Sequence, residues 1–330
     1  MLSTETRIEL LARLGEYVLS DDEKWEEIQH RAVSGNAWFS LSHVSLAINN
    51  IATQFLQKEK LRTWITPYKL PEHAKKVGIV MAGNIPLVGF HDFLCGFMSG
   101  NELLLKLSSK DNILLPHLIH KLIEWQAEIS RQIHISDNLK GCDAYIATGS
   151  NNTARYFEQY FGKYPHIIRK NRTSVAILDG TENDKDLEGL ANDIFSYYGL
   201  GCRNVTQVCV PEGYDFSKLL NVFNDHEDLM KFHKYKNNYD YYLAIYMLNK
   251  IPYITNGSLL MIENALPFSA VGVLHYRFYA DKQQLIQELQ SSEDIQGIIG
   301  NGFVPFGTSQ QPTLSDYADG IDTMAFLCSL

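Results

Sequence analysis

Cys202 stands among glycines in the stretch SYYGLGCRNVTQVCVPEG, between an apolar helical pattern and a strand-like run, NVTQVCVP. A cysteine that only fills a core gains nothing from such a corner. Gly199 reads as the cap of the preceding helix, and Gly201 lets the backbone turn sharply and present the sulfur. A short helical turn starting after the cysteine would lower the thiol pKa and favour the thiolate, the form that attacks a carbonyl carbon. Cys209, between Val208 and Val210, and Cys95, in an apolar helix, read instead as small buried hydrophobes. Taken alone, these residues weigh a catalytic and a structural Cys202 evenly.

Three other segments end strand-like runs in residues suited to a nucleotide. GIVMAGNIP ends in Gly83-Asn84, LLLKLSSKD carries Lys106 and Ser108, and YIATGSNN ends in Gly149-Ser150. In an open parallel sheet, ligands bind outside the carboxyl ends of the strands, where these residues would gather. Gly149 admits a phosphate close to the backbone, Ser150 and the following helix N-terminus offer donors, and Lys106 offers a charge. Neither G-x-G-x-x-G nor G-x-x-x-x-G-K-[ST] is present, and tight turns of an α/β sheet explain each feature taken singly.

The elements that must hold these residues follow a regular rhythm. The first seventy residues read as helical, with Ile8, Leu11, Leu14 and Val18 on one face. After a break at Pro67 and Pro71 comes the strand KVGIVMAG, then NIPLVGFHDFLCGFMSG as a helix closed by Gly100. NELLLKLS, SKDNILLPHLIHKLIEWQAEI, CDAYIATGS and NNTARYFEQYFG continue as strand, helix, strand, helix. Such alternation implies parallel strands joined by crossover helices. RTSVAILDG, DKDLEGLANDIFSYYG and NVTQVCVP open a second set, followed by a tyrosine-rich helical region over 218–250 and further strands. The fold class is α/β: two three-layer domains with mostly parallel sheets. The expected division is 1–172, 173–305 and a C-terminal segment, 306–330.

Composition narrows the function. The chain has 330 residues, 45% apolar and 20% charged, as an ordinary folded protein has. A net charge of -9 argues against nucleic acid. The one dense basic cluster, Arg169, Lys170 and Arg172, reads as a solvated loop, with contact to a phosphate-bearing small molecule as the alternative. Five cysteines without regular spacing suit a reducing cytoplasm and no metal site, and His117 and His120 lack a third ligand. No apolar run approaches the ~20 residues of a membrane span. The tyrosines at 235, 239, 241, 242 and 246 read as an aromatic helical face.

In this order the pieces resemble the aldehyde dehydrogenase superfamily, most closely its acyl-CoA reductase branch, the LuxC-like proteins that make fatty aldehydes. The resemblance runs from about residue 75 to the C-terminus. AGNIPLVG is similar to the segment whose asparagine stabilises the oxyanion, which implies that role for Asn84. GNELLLKLSS resembles the strand whose lysine binds the adenosine ribose, here Lys106. ATGSNNTAR is similar to the turn that meets the pyrophosphate, through Gly149 and Ser150, and YYGLGCRN to the turn of the nucleophile, Cys202. Glu263 in IENALPF matches, by its spacing to Pro267, the glutamate of the nicotinamide ribose. VPFGTSQQPTLSDYADGIDTMAFL is the most specific match to the reductase branch.

One departure bears on the chemistry. The acid-forming dehydrogenases carry a glutamate that activates water, and the nearest position here holds Ile168. An isoleucine cannot serve as a base, so the resemblance implies reduction of an acyl-CoA or acyl-carrier thioester to an aldehyde. Ser108 and Ser109 stand where relatives that prefer NAD carry an acid, which implies NADPH, with NADH as the alternative. The dimer-forming hairpin of the superfamily is reduced to WITPYKLPEH, and a homodimer stays open. Other readings are an aldehyde dehydrogenase or acyl-phosphate reductase, a cysteine hydrolase pairing Cys202 with His91 or His166, and a scaffold without turnover.

Overall fold

The computed structural model describes residues 2–330, which divide into two compact units. One runs up to Asn171 and includes Pro312–Leu330, and the other is Arg172–Gln311. Residues 306–311, expected to leave with the tail, thus belong to the second unit.

The first unit opens with helices α1 (Thr4–Val18), α2 (Glu23–Gly35), α3 (Leu41–Asn50) and α4 (Lys58–Ile65). Ser3, Asp22 and Ser40 cap the first three by accepting backbone N–H groups of the opening turn. Strand β1 (Lys76–Val80), helix α5 (Phe90–Ser99), β2 (Glu102–Lys106), α6 (Leu114–Trp125), β3 (Ile133–Ile135), β4 (Ala144–Thr148), α7 (Asn151–Phe161) and β5 (His166–Arg169) follow. The strands form one parallel sheet in the order β3-β2-β1-β4-β5. Alternation along the strands builds both faces. Val77, Ile79, Leu103 and Leu105 join the helical core, while Leu104 and Tyr145 face the opposite way against Phe161 and Tyr164.

In the second unit come β6 (Thr173–Ile177), α8 (Asp184–Phe195), β7 (Val205–Pro211), α9 (Ser217–Phe223), α10 (His233–Leu248), β8 (Ile254–Thr255), β9 (Leu260–Glu263), β10 (Val273–Tyr279), α11 (Lys282–Ser291) and β11 (Ile295–Ile299). Their order is β11-β6-β7-β10-β9-β8, parallel except for β8. Val208 and Val210 face α8 and α9, Cys209 faces Leu285 and Leu289 of α11, and Tyr239 and Tyr246 of α10 pack on β9. Among the described residues, no helix is long and apolar enough to cross a membrane.

Three expectations are corrected. The helix after β1 is shorter, because residues 84–89 form turns in which Leu87 takes a left-handed φ of 56°. Short edge strands β3 and β5 join the sheet. The basic cluster is not one solvated loop: Arg169 ends β5 buried, paired with Asp92 of α5, and donates to Thr323 Oγ1 at 2.7 Å. Arg172 is half-buried and reaches Ile295 O, leaving Lys170 exposed.

Thr323 opens α12 (Thr323–Cys328), the helix by which the C-terminal segment joins the first unit. Trp64 Nε1 and Tyr68 Oη meet Tyr317 Oη at 2.9 and 2.8 Å, and Asn101 Nδ2 donates to Leu327 O at 3.1 Å. Replacing Arg169 with Met strands the Asp92 carboxylate in the core. The expected loss is about 3–5 kcal/mol in urea unfolding, with the further change Asp92→Leu recovering much of it.

Candidate active site

Helix α8 begins in a capping box, in which Asn183 and Asp186 satisfy each other's backbone N–H groups. It ends at Phe195, and the chain then passes through Tyr197 and Tyr198 at φ 52° and 56° and Gly199 at φ 77°. Two consecutive non-glycine residues in the left-handed region cost about 1–2 kcal/mol each. Both tyrosines are buried, and the Tyr198 ring stacks on Phe232 at 4.4 Å. Strain of this kind persists where the surroundings over-determine it.

The determinant is Asn204, whose side chain is fully enclosed. Its Oδ1 accepts from Gly201 N–H at 2.8 Å, and its Nδ2 donates to Asp193 O at 2.9 Å and Ser196 O at 2.8 Å. One amide thus ties the end of α8 to the turn that carries Cys202. The backbone of Asn204 closes that turn onto Gly201 O at 3.0 Å, and its carbonyl accepts from Ser174 N–H of β6 at 3.1 Å. Cys202 O in turn accepts from Ser174 Oγ at 3.3 Å. The result is a half-buried cysteine on a turn braced from both sides.

The local mechanism differs from expectation in two respects. No helix starts after Cys202; the chain enters β7 directly at Val205. Gly201 is not in the left-handed region, and the turn is made by Tyr197, Tyr198 and Gly199. Cys209 and Cys95 are buried, and burial raises both thiol pKa values, as for inert core cysteines.

Helix α8 also grips the loop before the tail. The Asp193 carboxylate accepts from Gly307 N–H at 2.7 Å and Ser309 N–H at 3.0 Å, while burial pushes its pKa up. Glu263 ends β9 exposed, in register with Tyr276 of β10. The chain after it is held by Gln207 Nε2 on Asn264 O at 2.8 Å and by Thr206 Oγ1 on Pro267 O at 2.6 Å.

In the first unit the strand order reverses between β1 and β4, and ligands of open parallel sheets bind at such a point. The carboxyl ends of β1, β2 and β4 bring Asn84, Lys106, Ser108, Ser109, Gly149 and Ser150 to one sheet edge. Asn84, Lys106, Ser109 and Ser150 are exposed. Ser150 caps the eleven-residue α7, and its exposed hydroxyl accepts from Thr153 N–H. Ser108 is half-buried, with Oγ accepting from Lys110 N–H at 3.2 Å. A cation, an exposed hydroxyl and a helix N-terminus on one edge form a donor set that fits a dinucleotide.

The two histidines weighed as partners of Cys202 have other engagements in the first unit. His91 stacks on Phe55 and Tyr317, and His166 Nδ1 meets Tyr164 O at 2.8 Å. Asn204 was not singled out by sequence, since an asparagine opening a strand carries no signal of its own.

Comparison with known proteins adds three findings. A profile of the family described as acyl-CoA reductase (LuxC) matches residues 49–216. Long-chain acyl-protein thioester reductase 2 of Photobacterium leiognathi is 26% identical over 180 residues, which cover 49% of this chain and only 37% of that relative. Among solved structures, aldehyde dehydrogenase 21 of Physcomitrella patens aligns at TM-score 0.68 and 13% identity, over 91% of this chain and 74% of its own. An NAD-dependent aldehyde dehydrogenase of Sinorhizobium meliloti aligns at 0.69 and 13%, over 90% and 70%. The fold is that of the aldehyde dehydrogenases.

The Asn204 bracket has a sharp test. Asn204→Ala strands one N–H and several carbonyls, with an expected loss of about 1–3 kcal/mol in thermal unfolding. Asn204→Asp keeps the shape but turns an anion toward the carbonyls of Asp193 and Ser196, and is expected to lose at least as much. An Asp variant as stable as the wild type would contradict the bracket.

Proposed function

The chain belongs to the acyl-CoA reductase (LuxC) family, and on that footing we propose that it reduces an acyl thioester to an aldehyde through a covalent acyl-enzyme on Cys202. The donor is an acyl-CoA or an acyl-carrier thioester. The observation that carries the reading is the half-exposed Cys202 on a turn braced by a buried asparagine.

The Cys202 thiolate attacks the thioester carbonyl, and the tetrahedral oxyanion collapses with departure of the donor thiolate, which takes up a proton. That leaves an acyl group on the sulfur. The side-chain amide of Asn84 and the backbone N–H of Cys202 donate to the oxyanion. When bound, the reduced nicotinamide supplies a hydride to the acyl carbon, NADPH being preferred and NADH the alternative. Cys202 then leaves as thiolate from the resulting hemithioacetal, and the aldehyde is free. Ile168, half-buried on β5, offers no base to activate water, which favours this outcome over an acid.

Lys106, Ser109 and the opening N–H groups of α7 after Gly149-Ser150 would hold the adenosine ribose and pyrophosphate, and Glu263 the nicotinamide ribose. Ser108, whose Oγ accepts from Lys110 N–H, keeps its O–H to donate to the same ribose. The name of the Photobacterium relative, a thioester reductase, supports the substrate class.

The test is NADPH oxidation across a panel of acyl-CoAs. Thioester-dependent oxidation is expected in the wild type and none in Cys202→Ala. Asn84→Ala is expected to lower kcat about 10²–10³-fold, as loss of one oxyanion donor does. Turnover of acyl phosphates or free aldehydes alone would overturn the thioester reading.

A further inference from the structure

We infer that Asp111 is a positioning residue for the loop that carries Asn84, a reading that rests on the oxyanion role proposed above for Asn84. The loop runs from Met81 to Gly89, between β1 and α5. Its first residue is tied down where Met81 N–H donates to Lys106 O at 3.0 Å, and its last turn closes where Phe90 N–H donates to Leu87 O at 2.9 Å. Between these points Leu87 is held at φ 56° with its side chain buried, a conformation leucine does not favour. What holds it is the Asp111 carboxylate, whose Oδ2 accepts from Leu87 N–H at 2.7 Å. A charged acceptor makes this a strong bond.

Asp111 acts from an anchored base. Its own N–H donates to Ser108 O at 3.0 Å, and Asn36 Nδ2 donates to Lys110 O at 2.9 Å, so the turn after β2 is fixed from two sides. The loop is pressed against that same turn at Gly83. A Cβ there would lie 2.7 Å from Ser108 Cβ and 3.1 Å from Asp111 N, so any other residue would force the two segments apart. Asn84 therefore sits between a close backbone approach on one side and a carboxylate-held turn on the other.

The second carboxylate oxygen, Oδ1, is buried with no hydrogen-bond partner among the described residues. Burial pushes the Asp111 pKa up to about 6, against the bond from Leu87, which lowers it. Ala32, Gly35, Phe39, Asn112 and Ile113 line the space around it, and the only charged neighbour in that lining is the exposed Lys110. A half-satisfied carboxylate is a poor way to fill a core, and a good way to fix one N–H. The folded-state pKa lies above the ordinary value, so the proton returns as pH falls through about 6 and the Leu87 N–H then loses its charged acceptor.

The experiment compares Asp111→Ala and Asp111→Asn in the full chain, reading kcat, KM for the thioester, NADPH binding by fluorescence, thermal unfolding, and kcat against pH. Asp111→Ala is expected to lower kcat about tenfold or more while NADPH binding stays unchanged, because misplacing a catalytic group costs rate. Asp111→Asn, which keeps an oxygen toward Leu87, is expected to retain most of kcat and to lose the acid limb near pH 6. An unchanged kcat in Asp111→Ala overturns the inference. If the alanine variant does not fold, the asparagine variant decides, and an acid limb identical to wild type overturns it. Failure of the underlying reading shows itself differently, as absent thioester turnover in the wild type, and takes the inference with it.

Discussion

A single buried amide governs the second unit. Asn204 has no exposure, and it joins the carbonyl end of α8 to the Cys202 turn while its backbone joins that turn to β6. Removing the amide would take a partner from each group it reaches, which is why the turn depends on it. The left-handed Tyr197 and Tyr198 follow from that constraint, because the chain must go from the last turn of α8 to Gly201 in few residues. Helix α8 extends the same bracket to the 307–309 loop through Asp193.

The first unit obeys a different constraint, that of an open parallel sheet with a reversal in strand order. Its loops leave from one edge, and the residues proposed to meet the cofactor and the oxyanion are there by topology before any side-chain chemistry is considered. The buried Arg169–Asp92 pair and Thr323 then bind β5, α5 and α12 into one body. The same segment that gives the chain its most distinctive sequence, ending in DTMAFL, is thus also structural cement for this unit.

Strand and helix periodicity made most elements legible, since Val77 and Ile79 or Leu187 and Leu190 announce their faces without help from distant residues. Edge strands were not legible: three residues at Ile133–Ile135 are too few to show a period. Arg169 looked like part of a solvated cluster because its partner lies 77 residues away, and sequence carries no trace of that pairing. Cys202 stood out as a candidate from its glycine corner, but the turn that carries it is built otherwise than the sequence suggests. The sequence suggested a helix N-terminus, whereas the structure uses an asparagine two positions on, whose role depends on three-dimensional closure.

The central claim is that Cys202 carries the acyl group. The most direct test is to incubate the protein with an acyl-CoA in the absence of nicotinamide, quench in acid, and locate any added acyl mass by peptide mass spectrometry. The account expects one acyl group on the peptide containing Cys202, removed by hydroxylamine and absent when NADPH is added before the quench. Release of free thiol with no adduct on Cys202, or an adduct on another residue, would contradict it.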